Sequence, residues 1–311
     1  MHHSSGSTDT LFHYTFDAMG TECSLSLYAD DEAIAAASAD AAMAEVSRIE
    51  YRYSRYREES VLSSINRAAR SATPVTVDAE TAALLDYAFR AFDTSGGLFD
   101  ISSGCLQHAW SFDSGKLPAQ QEIDRLLPAI GMHQMQWVSP KLSFSRSGIE
   151  LDLGGIGKEY AVDRAADVLQ QQGIRSAMID LGGDLRILGP HADAEPWHIG
   201  IRHPRHPSAA MAVLPLACGA LATSGDYERY MEVEGVRYCH ILNPHTGWPV
   251  QGLSSVTVLA GQCMLAGTLS TIAMLMGHAG KQWLADIGVA HFWVDRDGAY
   301  GGTLSDQLEM I

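Results

Sequence analysis

The sequence predicts an α+β fold, with mixed, largely antiparallel sheets and packed helices. Three observations carry that expectation. Helical periodicity is strong in the first half and again near the end. Short β-like runs crowd the second half, separated by Gly, Pro, Asn and Asp. Strands do not alternate regularly with helices, as a doubly wound parallel sheet would require.

Taken in order, Phe12–Tyr28 alternates, includes Cys23, Leu25 and Leu27, and reads as strands. Asp30 and Asp31 are N-cap candidates for a helix reaching about Tyr53, with an apolar stripe at Ala42, Val46, Ile49 and Tyr53. A second helix begins near Asp78, carries Leu84, Leu85, Ala88 and Phe92, and stops at Gly96-Gly97. A third follows Gly157, with Ala161, Ala165, Val168 and Leu169, and ends at Gly173. Met178–Leu181, Trp197–Ile201, Ala212–Leu216, Ala220–Thr223, Tyr238–Leu242 and Ser255–Ala260 then read as short strands. Helices over Cys263–Met276 and Lys281–Ile287 and a last strand at Val289–Val294 complete the chain. Residues 12–294 read as a single elaborated domain. The uninformative stretch Ser111–Leu142 is the alternative place for a boundary between two lobes. The opening residues 1–6 resemble the stub of an expression tag and stand outside fold reasoning.

A chain of 311 residues can bury a large core, and 46% apolar with 19% charged residues suits a soluble globular protein. The net charge of −16 argues against nonspecific binding to nucleic acid or an anionic membrane, which select basic surface. It leaves room for an anionic small ligand, because backbone amides or a bound cation can supply local positive charge. No apolar run is long enough to span a bilayer. The five cysteines form no CxxC pair and several sit in apolar stretches, as buried thiols do, so the cytoplasm is favoured.

Four segments carry candidate chemistry. Asp152-Leu153-Gly154-Gly155-Ile156-Gly157-Lys158 is expected between a strand and a helix start, where glycines let backbone N–H groups approach a phosphate and Lys158 adds charge. It is neither a Walker A loop nor a GxGxxG in a βαβ unit, and an ordinary strand-to-helix turn explains it as well. Leu181-Gly182-Gly183-Asp184-Leu185 reads as a hairpin or bulge. Thr223-Ser224-Gly225-Asp226-Tyr227 and His240-Ile241-Leu242-Asn243-Pro244-His245-Thr246-Gly247 are polar segments beside strands. His240, within an alternating strand, serves either a site or the core, and Asn243 to Gly247 is first of all a turn. Thr268-Leu269-Ser270-Thr271, near a helix start, offers either capping hydroxyls or hard oxygen donors for Mg2+. No GxSxG, HExxH or CxxC motif is present.

In their order along the chain, these segments resemble the ApbE family of FAD:protein FMN transferases over roughly residues 12–294. Met19-Gly20-Thr21 is similar to its opening MGT, and Ser54–Asn66 to its S-x-Y…S-x-(I/L)-S-x-(L/I/F)-N block. Gly97-Leu98-Phe99-Asp100 matches G-x-F-D, Leu151–Asp163 matches LDLGGIxKGYAVD, and Asp180–Asp184 matches the GGD turn. Thr223–Tyr230, His240–Gly247 and Ala266–Gly277 match TSGDYER, HI-x-(D/N)-P-x-TG and the helix beginning A-D-A-L-x-T.

The resemblance implies a T-fold-related architecture and cleavage of FAD at its pyrophosphate, with release of AMP and attachment of FMN to a threonine of a target protein. It implies FAD contacts at Met19, Tyr56, Leu98, Phe99, Asp100, Asp152, Lys158 and Ile241. His240 and Thr271 would be catalytic, and Gly155, Ser270 and Thr271 would hold Mg2+. The acceptor protein is the implied partner, with no nucleic acid and no membrane span; family members often work in the periplasm, reached by a leader. Two positions depart from the pattern. Gly267 stands where the family has Asp, which should weaken Mg2+ binding. Glu159 stands where it has Gly, and so offers a replacement charge. The alternatives are an FAD-binding protein without efficient transfer, favoured by Gly267, and an FAD pyrophosphatase.

Overall fold

The computed structural model describes residues 10–311, so the tag reading of residues 1–6 lies outside it. In chain order the first half comprises β1 (Thr10–Ala18), β2 (Thr21–Ala29), α1 (Glu32–Tyr53), α2 (Val61–Arg70), β3 (Val75–Thr76), α3 (Ala79–Thr94), α4 (Gln120–Leu126), β4 (Met135–Val138), β5 (Lys141–Phe144) and α5 (Gly157–Gln171). The second half comprises β6 (Ala177–Leu181), β7 (Asp184–Ile187), β8 (Trp197–His203), β9 (His206–Leu216), β10 (Gly219–Gly225), β11 (Tyr230–Val233), β12 (Val236–Cys239) and β13 (Leu253–Ala260). It ends with α6 (Cys263–Met276), α7 (Ala279–Ile287), β14 (Ala290–Asp295), β15 (Tyr300–Gly301) and β16 (Glu309–Met310).

The frame is an eight-stranded sheet in the order β1-β2-β6-β7-β10-β13-β14-β15, antiparallel at every pair, which bears out the expected fold class. Its two faces separate by the period-2 rule. Leu185, Ile187, Leu221, Phe292 and Val294 face one way and pack with Trp197, Ile199, Leu214 and Leu216 of the β8–β9 sheet. Ala220, Ala222, Val256 and Val258 face the other way, into the larger core that takes in α1, α5 and α6. Asp184 and Arg186 alternate with Leu185 and Ile187, so their side chains point toward α5, where they meet Lys158 and Asp163.

The helices form for local reasons visible in the chain. Asp31 caps α1 by accepting from Ile34 N, and Asp78 caps α3 by accepting from Glu80 N and Thr81 N. Along α1 the buried side chains Ala35, Ala39, Ala42, Val46, Ile49 and Tyr53 make one stripe. Small residues on it and at Ala161 and Ala165 of α5 let the two helices pack closely. Removing Ile49 to Ala would leave a cavity costing about 2–5 kcal/mol.

Several expectations need correction. α2 was not anticipated. Cys263, opening α6, is preceded by Gln262, which makes no side-chain cap; Asp163 of α5 accepts from Cys263 N and Met264 N instead, at 2.8 and 2.9 Å. Thr268–Thr271 therefore lie in mid-helix rather than at its start, and the capping reading fails. The strand expected over Tyr238–Leu242 ends at Cys239, and β14 is followed by two more short strands. No ladder precedes Asp152: Leu151 is held extended by Asn66, whose side chain bonds Leu151 O and N at 2.9 and 2.8 Å. Cys23, Cys105, Cys239 and Cys263 are buried free thiols, as expected, while Cys218 is exposed.

Candidate active site

Two tight hairpins meet at one end of the large sheet. In β1–β2 the loop is Met19-Gly20, both at positive φ (53° and 75°), and in β6–β7 it is Gly182-Gly183, at 64° and 90°. Such turns match the right-handed strand twist, and glycine adopts them without strain. Met19 is strained there, at a cost of order 1 kcal/mol, yet its side chain lines the cavity that the hairpins border. The hairpins touch each other: a Cβ at Gly182 would fall 2.6 Å from Thr21 Oγ1.

That cavity, about 910 Å³, lies between these hairpins, the end of α1, the start of α5, the end of β10, α6 and the segment after β12. Its size is at the upper end of the ~300–1,000 Å³ usual for ligand clefts. Tyr56, just past α1, is 81% exposed and presents its ring at the rim. The turn Gly154-Gly155 leads into α5, whose first residues Gly157, Lys158 and Glu159 also line the space. Ile156, the N-cap, makes no side-chain cap; Gly157 N is taken by Leu153 O at 2.7 Å, so the Lys158 N–H that follows is the one turned to an anion or water.

Three carboxylates in and around the cavity do different work. Asp152 accepts from Arg55 Nη1 (2.8 Å), Gln107 Nε2 (2.9 Å) and Gly154 N (2.8 Å), which locks the glycine turn. Asp100 spends both oxygens on the protein, Oδ1 on Ser102 and Oδ2 on Met132 N, so it shapes the wall around residues 100–132. Asp184 pairs with Lys158 Nζ at 2.6 Å. Burial lowers the Lys158 ammonium, but Asp184 outweighs this and the net shift is upward, so Lys158 is a cation at neutral pH. Burial raises the Asp184 carboxyl.

His240 follows β12 in a bend rather than sitting within the strand. Its Nδ1 lies 3.2 Å from Arg229 O; a carbonyl only accepts, so Nδ1 carries the proton and Nε2 keeps its lone pair. The ring is open to the cavity yet surrounded by its walls. That enclosure, reinforced by Arg229 and Lys158, holds its pKa below the usual histidine value. On α6, Thr271 Oγ1 and Ser270 Oγ both reach Ser224 Oγ of β10, at 2.9 and 2.8 Å. Ser270 also donates to Gly267 O.

Beside this hydroxyl cluster lies Glu159, buried at 7% exposure. Its Oε2 has no hydrogen-bond partner. Burial first, and then the charge of Asp184, push its carboxyl up to about 8. Its side chain lies against Gly267: a Cβ there would sit 2.6 Å from both Cγ and Oε1 of Glu159.

The structure thus places Met19, Tyr56, Leu98, Phe99, Asp100, Asp152, Gly155, Lys158, His240, Ile241 and Thr271 around one cavity. Ser270 lies behind the wall, fully buried. Sequence reasoning missed Arg55, Asp184 and Ser224 as site residues, although all three lie in segments it singled out. Strand alternation was the available signal for the last two, since Asp184 and Ser224 fall on the helix-facing side of β7 and β10. Among the described residues no group of three or more His, Cys, Asp or Glu side chains is arranged to hold a metal. A cation here would depend on hydroxyl and backbone oxygens with the Glu159 carboxyl group. That donor set suits a hard ion such as Mg2+, and the orphaned Glu159 oxygen fits it.

The ApbE family profile matches residues 19–293. The FAD:protein FMN transferase of Vibrio cholerae is 35% identical over 230 residues, covering 72% of this chain and 69% of the relative. That of Haemophilus influenzae is 32% identical over 264 residues, covering 80% and 76%. Among solved structures, the ApbE protein of Thermotoga maritima superposes with a TM-score of 0.85 at 32% identity, over 94% of this chain and 97% of that one. The apo flavinyl transferase ApbE of Pseudomonas stutzeri gives 0.84 at 26% identity, over 95% of each. With the profile spanning most of its length and relatives of this likeness, the chain belongs to the ApbE family.

Proposed function

We propose that this protein transfers FMN from FAD to a threonine hydroxyl of a target protein and releases AMP. Relatives named for that activity support the reading. The observation that carries it in this chain is one cavity bringing together an uncapped helix start, a lysine ammonium, a histidine with a free ring nitrogen and a hydroxyl cluster. These are the parts an in-line displacement at phosphorus needs: positioning, charge neutralisation and proton transfer.

The exposed Tyr56 ring offers a stacking face to the isoalloxazine, with Met19 and Leu98 beside it in the wall. The N–H of Lys158 in the first turn of α5 and the Lys158 ammonium take the diphosphate charge. The acceptor hydroxyl oxygen attacks the phosphorus of the FMN half. The P–O bond to AMP breaks, AMP leaves with the bonding pair, and a phosphoester to threonine remains. His240 Nε2, neutral at pH 7, is the group with a lone pair to accept the hydroxyl proton. Gly155, Ser270 and Thr271 would hold Mg2+, which when bound neutralises charge on the diphosphate.

Incubation with FAD, Mg2+ and a protein bearing an acceptor threonine, followed by intact mass, tests the proposal. The expected result is a gain of one FMN on the acceptor, lost with EDTA and in Thr271→Ala. FAD that stays intact and bound, across several acceptors and divalent metals, would overturn it. Release of free FMN and AMP without a mass gain would show water as the acceptor.

A further inference from the structure

Glu159 is an anomaly that the transfer chemistry does not use. It is enclosed in protein, it borders the cavity, and one of its oxygens has no partner. Buried polar atoms are almost always satisfied, so an orphan oxygen beside a ligand cavity marks the place of something that binds there. Local charge points to its sign. Glu159 and Asp184 are two buried carboxylates, and only Lys158 is paired with either of them. The nearby Asp163 is committed to the N–H groups opening α6 and to Arg186.

The surroundings supply the remaining ligands. The carboxylate of Glu159 lies on α6 at Gly267, where any side chain would collide with it. Gly267 and Thr271 are four residues apart and share one face of the helix. Thr271 Oγ1, Ser224 Oγ and Ser270 Oγ form a chain of hydroxyls at 2.9 and 2.8 Å. A carboxyl oxygen next to clustered hydroxyls, at the border of the cavity, is the donor set that small hard cations take while keeping some of their own waters.

We propose that Glu159 provides the carboxylate ligand of a divalent-cation site on the Gly267–Thr271 face of α6. The carboxylate arrives from the neighbouring helix α5, and Gly267 is glycine because that is where it must fit. The proposal rests on the transferase reading only for the cation's role; binding is tested separately.

The test uses the full chain, stripped with chelator and titrated with Mn2+, with free Mn2+ followed by its EPR signal and enthalpy by calorimetry. One Mn2+ per chain is expected. Glu159→Gln keeps the volume and should weaken Mn2+ at least tenfold while the circular dichroism spectrum is unchanged. Gly267→Asp alone meets Glu159 and should also bind poorly. The paired change Glu159→Gly with Gly267→Asp sends a carboxylate to the same point from α6 and should restore affinity to within about threefold of the parent. Equal Mn2+ affinity in the parent and Glu159→Gln, or no Mn2+ binding by the parent with or without FAD, would overturn the proposal and show Glu159 to be space-filling. FMN transfer that persists in that case leaves the function standing without this ligand. Mn2+ binding that depends on Glu159, with no FMN transferred to any acceptor, would sink the function and keep the ligand.

Discussion

Two buried carboxylate centres lie behind and beside the cavity, and they are built on opposite principles. Asp226, after β10, has a side chain 1% exposed and is saturated. Arg205 meets both its oxygens at 2.6 and 3.0 Å, and Arg237 and Arg296 stand 3.8 and 3.7 Å away. Arg205 also donates to Ser254 Oγ, which in turn donates to Asp295 O, so the network ties β8–β9 to β13 and β14. The other centre holds Glu159 and Asp184 against Lys158 and leaves Glu159 Oε2 without a partner. A centre with cations in excess fastens sheets together. A centre short of cations is incomplete as protein alone. Both lie in or beside segments with a TSGD or GGD signature, which shows that a motif aspartate can be a fastener as readily as a ligand.

The contrast can be broken by exchanging the expected effects. The largest belongs to Asp226→Asn, which leaves three guanidinium groups around an uncharged amide. It should cost about 3–5 kcal/mol, read as a lower urea midpoint at unchanged m-value. Mn2+ affinity at temperatures where the variant is folded should stay within about threefold of the parent. Glu159→Gln should do the reverse in metal-free protein. It exchanges an unpaired carboxyl oxygen for an amide group of the same size and breaks no ion pair, so unfolding free energy should hold or rise by up to about 1 kcal/mol. A loss of more than about 2 kcal/mol in that variant would mean that Glu159 fastens α5 to α6 much as Asp226 fastens the sheets.

Much of this arrangement was legible in the chain. The Asp31 cap, the start of α3 near Asp78, the stripe on α1, both ends of α6 and the Gly182-Gly183 hairpin follow from local chemistry and agree with the structure. α2 carried its own signals: Ser60 accepts from Ser63 N, and Leu62, Ile65, Asn66 and Ala69 are buried at helical spacing. Its polar content concealed that stripe. β3, β4 and β5 are too short for alternation to declare itself. At the site, the motif segments located the cavity but not the pairing within it. That Asp100 is consumed by Ser102 and Met132, and that Glu159 rests on Gly267, depends on contacts across 32 and 108 positions of sequence, which no local pattern encodes. Two departures from a family pattern hinted at the second contact; only the packing of α5 on α6 shows it.

A third carboxylate group, on the outer surface, serves as the control for both centres. Arg48, with a side chain 42% exposed, holds Glu80 at 2.6 Å and Glu45 at 2.8 Å, and Arg52 and Tyr160 also reach Glu80. Glu80 is held below the ordinary glutamate value, first by the Arg48 hydrogen bond. A depressed carboxylate stabilises the fold above its unfolded-state pKa, and that contribution is lost as pH falls through the folded-state value. Arg48→Ala should therefore cost no more than about 1 kcal/mol at pH 7, the ceiling for pairs this exposed. The deficit should shrink in 1 M salt, and again in acid once Glu80 is protonated in both proteins; urea unfolding across these conditions reads it. The Asp226→Asn deficit should largely persist in salt, because the Asp226 carboxylate is 1% exposed and screened little by counterions, although Arg205 itself reaches the surface. If salt instead erased both deficits alike, burial would not be what separates the fastening centre from the surface, and the same argument would lose its hold on Glu159.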